Sequence, residues 1–130
     1  MQGSETKDRA KEQAKAQLES IIEMVQALEK GEKIDEQDPQ ERIQEDPLSV
    51  QVRTGWHTLG EDSSPTEYEI LLCTGGPAVR ITGELGQYQQ PDSAQIEYQD
   101  WFTPWQRYAD TTTEEDEALL TYTRQFYFGS

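Results

Sequence analysis

The sequence predicts an α+β fold: a four-stranded antiparallel meander with an N-terminal helix, a short second helix and a C-terminal helix packed on one face. Three observations lead there. Apolar residues recur at helical spacing near the start of the chain and again at its end. Between residues 48 and 100 the apolar period falls to two. The candidate strands are joined by short Gly/Pro-rich turns, and such close connections make neighbouring strands antiparallel, because parallel pairs need a longer crossover.

The first element runs from Thr6. Ala14, Leu18, Ile21, Ile22, Val25 and Leu28 form one stripe among good helix formers. Gly31 is placed to end the helix, and Lys30 suits the partial negative charge of its last turn. Up to Lys15 the helix has almost no apolar face, so this part is expected either to project into solvent or to pack on a second copy. The reading therefore separates residues 1–34, an amphipathic helix, from an acidic α+β domain at 35–130. After the polar connector 32–37, "DPQE" at 38–41 is a compact helix start: Asp38 to cap, Pro39 at the first helical position and Glu41 to complete a capping box. Pro47 ends this helix at Asp46.

The strands follow. "LSVQVR" alternates Leu48, Val50 and Val52 against Ser49, Gln51 and Arg53. "EYEILLCT" has a continuous apolar centre, the pattern of a strand covered on both faces. In "AVRITGEL" Val79, Ile81 and Gly83 point inward. "AQIEYQDW" puts Ala94, Ile96, Tyr98 and Asp100 on one face. The "GGP" at 75–77 reads as a hairpin turn, since it lacks the spacing and the lysine of a phosphate-binding loop. In the last helix Thr112 is the N-cap and Glu115 completes a capping box. Leu119, Leu120, Tyr122 or Thr123, Phe126 and Tyr127 supply its buried stripe, and Gly129 its stop.

Charge is the most informative bulk property. The net charge is −15, and it is uneven. Residues 1–34 hold all five lysines and Arg9 against seven carboxylates, whereas residues 35–130 hold five arginines against nineteen carboxylates, a net of −14. Such a domain repels nucleic acid and anionic membranes and attracts basic surfaces. No apolar run is long enough to span a bilayer, and the start of the chain has no apolar signal region. With a single cysteine, Cys73, these features predict a soluble cytosolic protein with no internal disulfide framework; the resemblance described below implies that the cytoplasm is that of a bacterial host.

Two of the three tryptophans and two of the six tyrosines fall within residues 97–108, "EYQDWFTPWQRY". These rings either close the sheet and pack on Phe126, Tyr127 and Phe128 or anchor a partner, as Trp, Tyr and Arg do at interface hot spots. The candidate partner-binding set is Trp101, Trp105, Arg107, Tyr108, Asp110, Glu114, Glu115, Asp116 and Glu117. The acidic runs match no calcium-loop spacing, so no metal site and no cofactor is expected. His57, paired with Cys73 or a carboxylate, is the one conceivable catalytic group.

From about residue 42 to 129 the strings "ERIQEDPLSVQVRTGWHTLG", "PTEYEILLCTGGPAVRITGEL", "EYQDWFTPW" and "EDEALLTYTRQFYFG" resemble a group of short uncharacterised proteins from bacterial plasmids, integrated elements and phages. The resemblance implies a mobile-element setting and transfers no functional residues. Small acidic proteins in that setting sometimes block host defence enzymes by imitating DNA. The expectation is therefore a non-catalytic protein that binds and inhibits a host CRISPR or restriction protein through a basic surface, without contacting nucleic acid or membrane itself. The alternatives are an accessory protein that dimerises through its N-terminal helix, or a small enzyme using His57.

Overall fold

A computed structural model describes residues 2–61, 64–75, 77–100 and 103–128. Three helices, α1 (Gln2–Lys30), α2 (Pro39–Glu45) and α3 (Thr113–Thr123), accompany five strands: β1 (Ser49–Arg53), β2 (Glu67–Cys73), β3 (Ala78–Glu84), β4 (Gln95–Gln99) and β5 (Gln106–Arg107). The strands form one antiparallel sheet in sequential order, with β1 and β5 at its edges. The class is α+β, as the alternation of periods predicts, but the meander has five strands and not four. The extra strand has only two residues, too few for any periodic signal. It is registered by Glu97 opposite Arg107 and Tyr98 opposite Gln106.

Local chemistry explains the helix ends. Gly31 has φ +69, and the amides of Gly31 and Glu32 bond the carbonyls of Leu28 and Ala27 (3.3 and 2.9 Å). That is the left-handed glycine stop with its two crossed bonds. At α3 the expected capping box forms in full: the Glu115 amide donates to Thr112 Oγ1 (3.1 Å) and the Thr112 amide to Glu115 Oε1 (2.9 Å). At α2 Pro39 starts the helix as expected, but Asp38 makes no side-chain cap bond, so no capping box forms there. α3 ends at Thr123 with Arg124 as its C-cap, and Gly129, the expected stop, lies outside the described residues.

One core joins all layers. Ala14, Leu18, Ile21 and Val25 of α1 share a single apolar cluster with Ile43 of α2, Tyr68 and Ile70 of β2, Val79 and Ile81 of β3, Ile96 of β4 and Leu119 and Tyr122 of α3. α1 lies over β3 and β4 and against α2 and α3. Its early turns do not stand free. Ala10 is fully buried, and Lys11 Nζ is 2.7 Å from Asp110 Oδ2. The apolar stripe of α1 is spent on its own domain.

The helices cover only one face. On β2, Tyr68, Ile70 and Leu72 are buried while the residues between them are half-exposed. The expectation that this strand is covered on both faces is thus corrected: Leu71, opposite Arg80, extends the apolar run onto the open face, while a register shift after it sets Cys73 opposite the buried Val79 and against the core. Gly83 sits where Tyr68 crosses β3. A Cβ there would collide with the Ser93 carbonyl oxygen and lie 2.7 Å from the Tyr68 ring, and the Tyr68 hydroxyl donates to that same carbonyl (2.6 Å).

Candidate partner-binding surface

The open face of the sheet is polar and internally wired. Arg80 on β3 bridges both neighbouring strands: its Nη1 reaches Glu69 Oε2 on β2 and its Nε reaches Glu97 Oε1 on β4, each at 2.7 Å. Trp105 lies across this triad, with its ring centroid 4.1 Å from the guanidinium carbon. The guanidinium is therefore satisfied by two carboxylates in its plane and one aromatic face above it. The triad itself lines a groove of about 450 Å³ that spans β1 to β4, with Gln51, Arg53, Glu67, Thr82, Glu84 and Gln95 among its other residues. Arg53 Nε donates to Glu67 Oε2 at 2.6 Å.

The residues expected to form one binding site are divided by the sheet. Trp105 and Arg107 alternate onto the open face with Glu97. Tyr108 is buried on the helix side, and its amide bonds the Ile96 carbonyl (2.9 Å). It is a core residue and not a free anchor. Asp110 is paired with Lys11, and its carboxylate holds the Lys11 ammonium above its usual pKa. Glu114, Asp116 and Glu117 stand exposed on the first turn and a half of α3, where carboxylates favour the positive helix end, while Glu115 is engaged in the cap. Trp101 lies outside the described residues.

The rings that do face solvent are elsewhere, and one of them corrects an expectation: Tyr127, read as part of the buried stripe of α3, lies beyond the helix end at Thr123 and is 82% exposed. Trp56 is fully exposed and Tyr88 is 81% exposed, on loops 54–66 and 85–94. These loops share one end of the sheet, joined by the Leu85 amide bonding the Thr66 carbonyl (2.8 Å). Tyr88 has φ +62, in the left-handed region. Neither stood out in the sequence, because an isolated aromatic in a polar loop has no periodic partner to mark it.

His57 and Cys73 are not brought together. His57 is exposed in loop 54–66, with Nδ1 3.3 Å from the Thr58 carbonyl oxygen. Cys73 closes β2 at the opposite end of the sheet, and burial pushes its thiol pKa up, which keeps it protonated. Among the described residues no cluster of three or more His, Cys, Asp or Glu side chains could hold a metal ion. No helix among them is long and apolar enough to cross a membrane.

The cations of residues 35–130 are largely consumed internally. Arg42 pairs with Asp46, Arg53 with Glu67 and Arg80 with Glu69 and Glu97, while Arg124 donates to the Pro91 carbonyl (3.1 Å). The field outside the domain is accordingly set by carboxylates. No family model, curated protein or solved structure matches this chain.

Proposed function

We propose that this chain is a non-catalytic acidic binding protein of a phage or mobile element, and that it engages the basic, nucleic-acid-binding surface of a host defence protein of the CRISPR or restriction type. The observation that carries this reading is the sequestration of cations. Three of the five arginines of residues 35–130 are held in carboxylate pairs inside or along the sheet and α2, which leaves many more exposed carboxylates than free cations on this part of the surface. Exposed carboxylates in excess act on a basic channel as phosphates do, through long-range attraction that is screened by salt. Trp105 is occupied by Arg80 and Tyr108 by the core, which favours a contact carried by charge over one carried by those rings.

The test is made in bacteria with an active restriction or CRISPR system, by scoring transformation of a targeted plasmid. The wild-type chain is expected to raise transformation at least about tenfold. Glu114→Gln/Asp116→Asn/Glu117→Gln, folded by circular dichroism, is expected to lose most of that protection, in line with a charge-assisted contact at each position. Protection by neither protein across several defence types, or equal protection by both, defeats the proposal.

One specific feature favours the accessory, self-associating reading as well: the sheet leaves one edge strand uncovered.

A further inference from the structure

We infer that β1 is a self-association edge, and that two copies of this chain pair β1 to β1 in antiparallel fashion to make one continuous ten-stranded sheet. This stands independently of the inhibitor proposal.

Val50 and Val52 lie opposite Ile70 and Tyr68, so they face the helix side, and Leu48 follows the same alternation. The helix layer covers β3 and β4 and stops short of them. Leu48, Val50 and Val52 are 62%, 38% and 47% exposed, and Trp56 and Leu59, just beyond the strand, are essentially bare. Natural edge strands are guarded by lysines, prolines, bulges or extreme shortness. β5, the other edge, has two residues. β1 has five, its pairing with β2 is regular, and it carries no charge before Arg53.

Charge selects a second copy over a basic partner. Residues 47–60 hold one arginine, one histidine and no carboxylate, in a chain with 26 carboxylates. A surface built to recruit a cationic partner would carry acid here. A surface that must meet its own copy has to be free of it, because the rest of each molecule repels. Pairing about a two-fold axis through Val50 sets Leu48 of one copy opposite Val52 of the other, so the six side chains form one apolar stripe across the seam. Leu48, Val50, Val52, Trp56 and Leu59 are five of the seven large exposed apolar side chains among the described residues, so this one edge gathers most of the apolar surface that could be buried towards the ~800 Å² per partner of a stable interface of standard size.

The full-length chain is examined by sedimentation velocity and by size exclusion with light scattering, over a concentration series, at 0.05 and about 0.5 M NaCl, the lower salt giving much weaker screening. The expected result is a species of twice 14.9 kDa whose dissociation constant tightens several-fold as salt rises, the opposite of the salt response of a basic-partner contact. Val50→Lys/Val52→Lys, at already exposed positions, is expected to weaken the dimer at least about tenfold with unchanged circular dichroism. Trp56→Ala, which leaves the strand intact, is the second variant and should weaken it as well. A chain that stays monomeric at both salts up to near-millimolar concentration overturns the inference. So does a dimer that both variants leave unchanged.

Discussion

The two sides of the sheet obey the same sequence rule and meet different fates. On β3 and β4, alternate apolar residues meet α1, and Val79, Ile81 and Ile96 are buried. On β1 the alternation is equally regular and points the same way, yet Val50 and Val52 stay partly in water because no helix reaches them. Periodicity reports which face a residue shares. It does not report whether another layer covers that face, since covering depends on helix position and length relative to sheet width.

The largest expected effect tests the covered side. Ile96→Ala should cost about 3–4 kcal/mol by urea denaturation, as a fully buried aliphatic that leaves a cavity, whereas Val52→Ala should cost about 0.5 kcal/mol in the isolated monomer. Similar losses at both positions would erase the comparison.

Next comes the boundary between the two sides, marked by Tyr68 on β2. Burial pushes the Tyr68 phenol up to about 12, and burial with the neighbouring Asp46 carboxylate raises that of Tyr122 further. The folded chain thus keeps protons that the unfolded chain releases above about pH 10. Stability from these groups is complete below pH 10 and falls as pH rises beyond it, by about 2 kcal/mol for Tyr68 on reaching pH 12. Urea midpoints between pH 8 and 12 should show this decline, and Tyr68→Phe should remove about half of it, the rest belonging to Tyr122. A midpoint that holds steady to pH 12 in the wild type contradicts the assignment.

On the open face, Arg80→Ala removes the shared partner of Glu69 and Glu97 and the platform of Trp105, at an expected cost of about 2 kcal/mol. Arg53→Ala, at a more exposed pair that links β1 to β2, should cost less than about 0.5 kcal/mol. The smallest effect is a gain. Asp100 is 8% exposed, and its Oδ1 has no hydrogen-bond partner among the described residues. Asp100→Asn should stabilise the chain by up to about 1 kcal/mol by putting at this buried position a neutral side chain that can donate as well as accept a hydrogen bond. A destabilised variant would mean that the carboxylate is needed where it stands.

Much of the fold was legible. The boundaries of α2 and of β1 to β4, the cap of α3 and the inward Gly83 all follow from local chemistry acting within a few residues. β5 did not follow, because two residues have no period and their pairing is set by the return of the chain from residues 103–105. The candidate site was less legible. Residues 97–108 do concentrate aromatic rings, but one strand turn sends Trp105 and Tyr108 to opposite sides of the sheet, where one stacks on Arg80 and the other enters the core. Density of rings in sequence is not density in space when the segment is extended.

By itself, the sequence determined the α+β class, the antiparallel order, the glycine stop of α1, the capping box of α3 and the acidity of residues 35–130, because these depend on neighbouring residues and on composition. Only the tertiary structure decided that α1 belongs to the core, that the arginines are neutralised across strands and that β1 lies bare. Each of these depends on which distant surfaces come into contact, and the number of helices available to cover a five-stranded sheet leaves one strand without a roof.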